Sequence, residues 1–267
     1  WPAKFGVNDA DVVRLANPIS QEESVLRPSL LINLLRAVSR NLNHQRSSVM
    51  LFEVGHVFNP SEEQRLAIVV AGEASPKTWK QPALPVDITY LKGLLEALIR
   101  DTGAAATLAP GAKASFLHPS QSFSIVHRGK TAGAAGILDP RTAAAFDIGA
   151  PCAVVEVRLA ALTGDSTRAA APLPKYPFVE RDIAVVVEKT VAWDTLRAAA
   201  EKAGGALVVG VWPFDLFEGG SLAASQKSVA FRVRLQDPNK TLAESDINGA
   251  VERIKSTLQK SCGAQLR

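Results

Sequence analysis

Cysteine and histidine are scarce in this sequence, and each scarcity closes a route. The two cysteines, Cys152 and Cys262, form no CxxC pattern, which excludes a disulfide framework and a thiolate zinc site and fits a reducing cytosol. Each is expected to be a buried free thiol. The four histidines, His44, His56, His118 and His127, show no HxxxH or HxH spacing, so they make no metal-ligand set. Long apolar runs are missing too: LAIVVA and IAVVV fall far short of the ~20 residues a membrane helix needs, and no membrane span is expected. Without a Walker loop, a GxGxxG or a GxSxG elbow, phosphate cradles and α/β-hydrolase chemistry have no motif to rest on. Nor does one sign of charge dominate. The net charge of +4 divides evenly, with 13 Lys and Arg against 11 Asp and Glu from Ala170 onward and 17 against 15 before it. A nucleic acid is therefore permitted as a partner through local placement of cations, not through a bulk field.

What is present is a globular composition, 47% hydrophobic and 21% charged over 267 residues, enough for about two domains. The chain opens on WPAKFGVNDADVV, with neither Met nor a signal-like start, as expected of a processed chain or a fragment. Small residues and proline crowd TGDSTRAAAPLPK, Thr163–Lys175, with no helical or strand period, so it reads as a linker. The expected division is a first domain over 1–162, a linker over 163–174 and a second domain over 175–267.

In the first part, Leu30, Leu31, Leu34, Leu35, Val38 and Leu42 recur at helical spacing, with Pro28 read at the first helical turn. Two strands follow, Val49–Phe58 and RLAIVVAGE, joined by the short link NPSEEQ and so antiparallel. Asp87 or Thr89 caps a helix ending at Gly103, and SFSIVHRGKTAGAAGIL is a hairpin turning at Arg128, Gly129 and Lys130. A short helix from Asp139–Pro140 through Phe146 and a strand CAVVEVRLAAL complete the part. Strands without regular alternation with helices point to a mostly antiparallel sheet with flanking helices.

The second part has a clearer order. RDIAVVVE is a strand. WDTLRAAAEKAG is a helix with Asp194 near its start and Gly204 past its end. ALVVGVWPFDLF and QKSVAFRVRLQ are strands separated by a turn at Gly219–Gly220. A second helix follows, with Thr241 and Glu244 read as a capping box, and AQLR closes the chain. This is βαββαβ, the ferredoxin-like pattern, so the fold class is α+β throughout. Period-two alternation turns Val229, Phe231, Val233 and Leu235 toward the helices and Ser228, Ala230, Arg232, Arg234 and Gln236 toward an open sheet face.

The stretches NPISQEESVLRPSLLINLL, LFEVGHVF, LKGLLEAL, LHPSQSFSIVHRGKTAGAAGILDP, YPFVERDIAVVV, FDLFEGG, QKSVAFRVRLQD and the run from TLAESDI to AQLR occur in an order that resembles the C-terminal portion of bacterial phenylalanyl-tRNA synthetase beta subunits. The resemblance implies a class II synthetase-like core that does no chemistry, followed by a ferredoxin-like anticodon-binding domain. Two departures from the family pattern are Asp139, where a His is usual, and the run Ser120–Phe123. Working class II cores continue a strand like LFEVGHVF into FRxE, whose Arg holds the ATP α-phosphate. Here the four positions are Phe58, Asn59, Pro60 and Ser61, and loss of such a donor typically costs ~10²-fold or more in rate. Arg141 is either a substitute phosphate ligand or a solvated residue at a helix start.

The resemblance implies further that the chain alone has no catalytic residues and binds no cofactor, ATP and magnesium being used by the holoenzyme. Its partners would be an alpha subunit, in a cytoplasmic α₂β₂ heterotetramer, and tRNA-Phe. Carried over from the family as tRNA-binding candidates are Arg181, Phe214, Asp215 and Phe217, and the alternation of the two strands adds Asp182, Ser228, Arg232 and Arg234 on the open face. For the two arginines the competing reading is an ordinary solvated strand face, and for Phe214 and Phe217 it is core packing. Arg36, Arg40, His44 and Arg46 are candidates for a subunit or tRNA interface, beside Ile32, Ala37 and Ser39, against the reading of a solvated basic helix face. Two functions from other classes stay open: a free-standing RNA-binding or scaffold protein, and an adenylating enzyme with an atypical phosphate ligand.

Overall fold

The computed structural model describes residues 5, 7–20, 24–164, 173–220 and 222–267. The chain divides into two compact units, Trp1–Ala169 and Ala170–Arg267. Most of the stretch read as a linker lies outside the described residues.

In the first unit a 3₁₀ turn, Asp9–Asp11, and an isolated Arg14–Val25 bridge precede helix α1, Leu31–Asn43, which is followed by strands β1, Ser48–Phe58, and β2, Glu62–Ser75, an antiparallel pair. A short strand β3, Leu84–Pro85, leads to helix α2, Ile88–Thr102. Then come β4, Ala106–Pro110, β5, Leu117–His127, and β6, Lys130–Leu138. Helix α3, Pro140–Ala145, and β7, Cys152–Arg158, complete it. The strands form one sheet in the order β1-β2-β7-β6-β5-β4, with β3 beside β2, antiparallel at every pairing.

The leucine face of α1 packs on one side of this sheet against Val57, Val69, Ala71 and Val154. On the other side α2 packs Leu91 and Leu95 against Leu66, Val70, Val155 and Val157. The middle strand β7 is thus covered on both faces, and Cys152–Val157 are buried without a break, Glu156 included, which is why apolar residues fall on both parities of this stretch. Asp87 caps α2 by accepting the Tyr90 N–H at 2.7 Å, and Gly103 ends it in the left-handed conformation.

Several boundaries differ from those expected. Pro28 lies three residues ahead of α1, whose first N–H groups donate to Glu156 of β7 (Leu30) and to the Ser29 hydroxyl (Leu31). Ile32, expected to face a partner, is buried in the core at 8% exposure. Lys130 pairs with His127 in the ladder, so the turn has only two residues, Arg128 and Gly129. The link between β1 and β2 shortens to Asn59–Ser61, and Leu159–Ala161 form a 3₁₀ turn that ends β7 early. β3 and β4 are additions, too short to show a period of their own.

The second unit runs β8, Val179–Glu188, α4, Trp193–Gly204, β9, Val208–Phe217, β10, Gln226–Leu235, α5, Glu244–Cys262, and β11, Gln265–Leu266. Its sheet order is β11-β8-β10-β9, the arrangement of a split βαβ fold. Ile183, Val185, Val187, Val229, Phe231, Val233 and Leu235 are all buried against Leu196, Ile254 and Leu258 of the two helices, each full burial of a large apolar side chain stabilising the fold by about 1.5–3 kcal/mol. The Trp193 ring meets Phe231 edge-on at 5.6 Å. Gly204 is the last helical residue rather than the one beyond. The expected capping box is absent: α5 starts at Glu244 after Ala243, with no side-chain cap. Glu244 therefore sits one residue inside the helix instead of three, and the first turn is tied by Lys240 Nζ to Asp246 Oδ2 at 2.7 Å.

Candidate nucleic-acid interface

On the open face of the second unit's sheet, ladder register decides which side chains meet. Arg232 stands directly opposite Asp182 and Arg234 opposite Glu180 on β8, while on the other flank Arg232 faces Trp212 and Arg234 faces Gly210 of β9. Arg232 donates to Asp182 through Nε at 2.7 Å and Nη2 at 2.9 Å. Arg234 donates to Glu180 Oε1 through Nε at 3.0 Å and Nη2 at 2.7 Å. The bonds between Arg232 and Asp182 hold the Asp182 carboxyl below the ordinary carboxylate range and raise the Arg232 guanidinium. The two arginines of the open face are therefore paired with carboxylates, engaged cations rather than free phosphate clamps.

Held flat by the carboxylates, the guanidinium groups lie over aromatic rings. Arg234 is 4.1 Å from the Phe178 ring centre and 5.0 Å from that of Trp212, and Arg232 is 5.5 Å from Phe214, all within cation–π range. At Gly210 a Cβ would come within 2.7 Å of the Trp212 ring, so the absent side chain is what lets the indole lie back across the strand. The ladder slips by one residue between Asp215 and Pro213, a bulge that leaves Phe214 over and turns it toward Arg232. Phe214 and Phe217 are 55% and 44% exposed, so core packing does not account for them.

Not every candidate residue lies here. Arg181 pairs with Val233 and so has the parity of the helix-covered face, its Nη1 bonding the Glu180 carbonyl. Ser228 has open-face parity but lies between Val186 and Phe217 in the ladder and is 5% exposed. Phe178, Glu180 and Trp212 escaped the sequence reading. YPFVERD carries two of them, but only strand pairing shows that they share a face with Arg232 and Arg234.

In the first unit Arg36, Arg40 and His44 follow one another at four-residue spacing along α1, with His44 Nδ1 2.7 Å from the Arg40 carbonyl. Among the described residues Arg36, Arg40 and Arg46 form no ion pair. The end of β1 opens on a cleft of about 690 Å³ lined by Asn59, Ser61, Glu63, Arg65, Lys113, Glu156 and Arg158, among others. Its arginines are committed: Arg65 bonds Glu63 at 2.9 Å and Glu156 at 3.1 Å, and Arg158 lies 3.6 Å from Glu63. Glu156 in turn accepts the Leu30 N–H at 2.7 Å and the Ser29 hydroxyl at 2.9 Å, which satisfies the start of α1 from strand β7. These residues do not fit ATP, since a triphosphate would find no fixed array of uncommitted cations. Arg141, at the start of α3, is held by Asp139 at 3.0 Å.

Among the described residues no helix is long and apolar enough to cross a membrane. The family model described as the phenylalanyl tRNA synthetase beta chain CLM domain matches residues 3–159, and that of the ferredoxin-fold anticodon binding domain matches residues 174–267. The phenylalanine–tRNA ligase beta subunit of Geobacillus kaustophilus is 36% identical over 274 residues, covering 99% of this chain and 34% of the relative. That of Moorella thermoacetica is 35% identical over 268 residues, covering 96% and 33%, and that of Xanthomonas campestris pv. campestris is 35% identical over 263 residues with the same coverage. The chain thus spans about a third of the length of these relatives. By the order of its two matched domains and by this identity, the chain belongs to the phenylalanyl-tRNA synthetase beta-chain family.

Proposed function

We propose that this chain is a non-catalytic part of a phenylalanine–tRNA ligase, supporting the charging of tRNA-Phe by assembling with an alpha subunit and by binding the anticodon. The observation that supports anticodon binding best is the layered face of aromatic rings and pinned guanidinium groups on β8, β9 and β10. Stacking on such planes is how unpaired bases are held without dependence on phosphate charge. In this reading Phe214 and Phe217 stack on bases. Arg232, Arg234, Asp182 and Asp215 present hydrogen-bonding groups to base edges, and Arg181 and Ser228 stand at the margin.

The first unit serves assembly in an α₂β₂ enzyme of the cytoplasm, with Arg36, Arg40, His44 and Arg46 meeting alpha or tRNA. ATP and magnesium act at the alpha subunit, because the cleft of this chain has its arginines tied to carboxylates. The tandem of two matched domains favours this over a free-standing RNA-binding or scaffold protein.

The test is binding of labelled tRNA-Phe and of an anticodon-swapped tRNA to the assembled enzyme at two salt concentrations, with an Arg232→Ala, Arg234→Ala double variant. A preference for the native anticodon that the variant loses supports the reading. Equal binding of both tRNAs by the parent enzyme would remove anticodon recognition and leave assembly alone, and ATP turnover by this chain in isolation would overturn its non-catalytic role.

A further inference from the structure

Strand β2 outruns the rest of its sheet and, with β3, raises a finger: Glu73 pairs with Pro85 and Ser75 with Leu84, leaving the eight residues PKTWKQPA between them. Its tip is fixed. The Thr78 N–H donates to the Gln81 carbonyl at 2.9 Å, and the Gln81 N–H donates to Thr78 Oγ1 at 3.1 Å, so Trp79 and Lys80 are presented as the two residues of a closed turn. Pro76, Pro82 and Pro85 restrict the backbone on either side.

Trp79 is 89% exposed, although no residue type gains more from burial. Lys80 Nζ sits 4.7 Å from the ring centre over the indole, which leaves the opposite ring face bare. No acidic residue occurs from Ala74 to Val86, and among the described residues Lys77 forms no ion pair. Lys80 rests only on the Trp79 ring, so neither lysine is neutralised by a carboxylate among the described residues, unlike Arg232 and Arg234.

A bare aromatic plane flanked by unpaired lysines distinguishes between partners. Protein interfaces enrich tryptophan but deplete lysine at their centres. Surfaces that hold single-stranded nucleic acid combine the two, an aromatic plane for a base and cations for the backbone. A polyanion also matches a segment with two positive charges and none negative.

We propose that this finger holds an unpaired nucleotide of the bound RNA, the base stacking on the bare face of Trp79 while Lys77 and Lys80 meet the neighbouring phosphates. The inference rests on the reading that tRNA is the partner, and it adds a contact on the first unit, separate from the anticodon face. Rigidity serves this role, since a finger already ordered loses little freedom on binding.

The experiment measures the affinity of the assembled enzyme for tRNA-Phe across a salt series, for the parent and for Trp79→Ala, Trp79→Phe and a Lys77→Ala, Lys80→Ala double variant. Trp79→Ala is expected to weaken binding about tenfold, within the range for one stacked base, with Trp79→Phe recovering most of the loss. The double lysine variant is expected to lower the slope of log affinity against log salt by about 1.4, two single-strand phosphates at ~0.7 each. Thermal midpoints should not move, as the finger carries no core residue. If the parent binds tRNA-Phe and Trp79→Ala stays within twofold of it, the finger inference is overturned while tRNA binding stands. It is equally overturned if Trp79→Ala loses the alpha subunit on gel filtration while the remaining complex binds tRNA as before, which would make the finger a protein contact. An unchanged salt slope removes the lysines from the proposal. A parent enzyme that binds no tRNA-Phe would overturn the underlying reading as well.

Discussion

Asp182 grips Arg232 from directly across the ladder, through parallel hydrogen bonds of 2.7 and 2.9 Å. The bond from Arg232 holds the Asp182 carboxyl below its ordinary value, as Lys240 does for Asp246. When the folded value lies below the unfolded one, near 3.9 for Asp, the unfolded chain binds more protons in the interval between them. The contribution to stability is then complete above about pH 4 and is lost as pH falls through the folded value. Asp182→Asn should therefore differ from the parent in thermal midpoint at pH 6, and the difference should fade as both are taken to pH 2. A difference that persists unchanged to pH 2 would show that the pair acts through something other than charge.

The pairing of both arginines with carboxylates has a consequence for RNA. If Glu180 and Asp182 neutralise the two arginines, replacing both by Gln and Asn releases two cations. Nonspecific binding of a single-stranded oligonucleotide should then become steeper in salt, by up to about 1.4 in log–log slope. An unaltered slope would mean that the guanidinium groups already reach phosphate in the parent.

That neutralisation was hidden in the sequence, and the reason is physical. Arg232 and Arg234 are visible on a strand whose alternation, Val229, Phe231, Val233, Leu235, fixes their face unambiguously. Asp182 and Glu180 lie fifty residues and more away, and only the register of β10 on β8 sets them opposite. Arg181 came in through the resemblance alone, although the alternation Ile183, Val185, Val187 already gives it the parity of the helix-covered face, and Pro213 marks the interruption of VWPFDLF without showing that Phe214 is the residue freed. The βαββαβ order was legible from local period, and the helix α2 from period and caps together. The start of α1 was not, since its cap comes from Glu156 on a distant strand.

Glu156 is 8% exposed and accepts from Ser29, Leu30 and Arg65. Removing it as Glu156→Ala leaves a buried hydroxyl and a helix-terminal N–H without their acceptor, and leaves the part-buried Arg65 with Glu63 alone, which typically costs about 1–3 kcal/mol for each buried group left unsatisfied. Urea unfolding should show a loss of that size, with Glu156→Gln losing less because its carbonyl can still accept from Ser29 and Leu30. A loss under about 1 kcal/mol for Glu156→Ala would mean that water replaces the carboxylate at low cost.

The two thiols should separate cleanly in reactivity. Burial pushes Cys152 up to about 12, so at pH 8 almost none of it is thiolate, the form that reacts. Cys262 is partly exposed at the end of α5. Brief treatment of the native chain with iodoacetamide followed by peptide mass analysis should label Cys262 and spare Cys152 until the chain is unfolded. Equal labelling would show that β7 opens readily.

Phe214 and Phe217 offer the sharpest separation of packing from recognition. A core phenylalanine costs about 3–5 kcal/mol when cut to alanine, whereas substitution of a surface residue usually stays within about 0.5 kcal/mol. At 55% and 44% exposure the two rings belong nearer the second class, so Phe214→Ala and Phe217→Ala should leave the urea midpoint close to the parent's. If bases stack on them, each substitution should still weaken anticodon-dependent tRNA binding by at least fivefold, the lower end of what one stacked base contributes. Loss of binding with stability retained assigns the rings to recognition. Loss of stability with binding retained would make Phe214 a brace for Arg232, fixing the guanidinium plane without touching RNA itself.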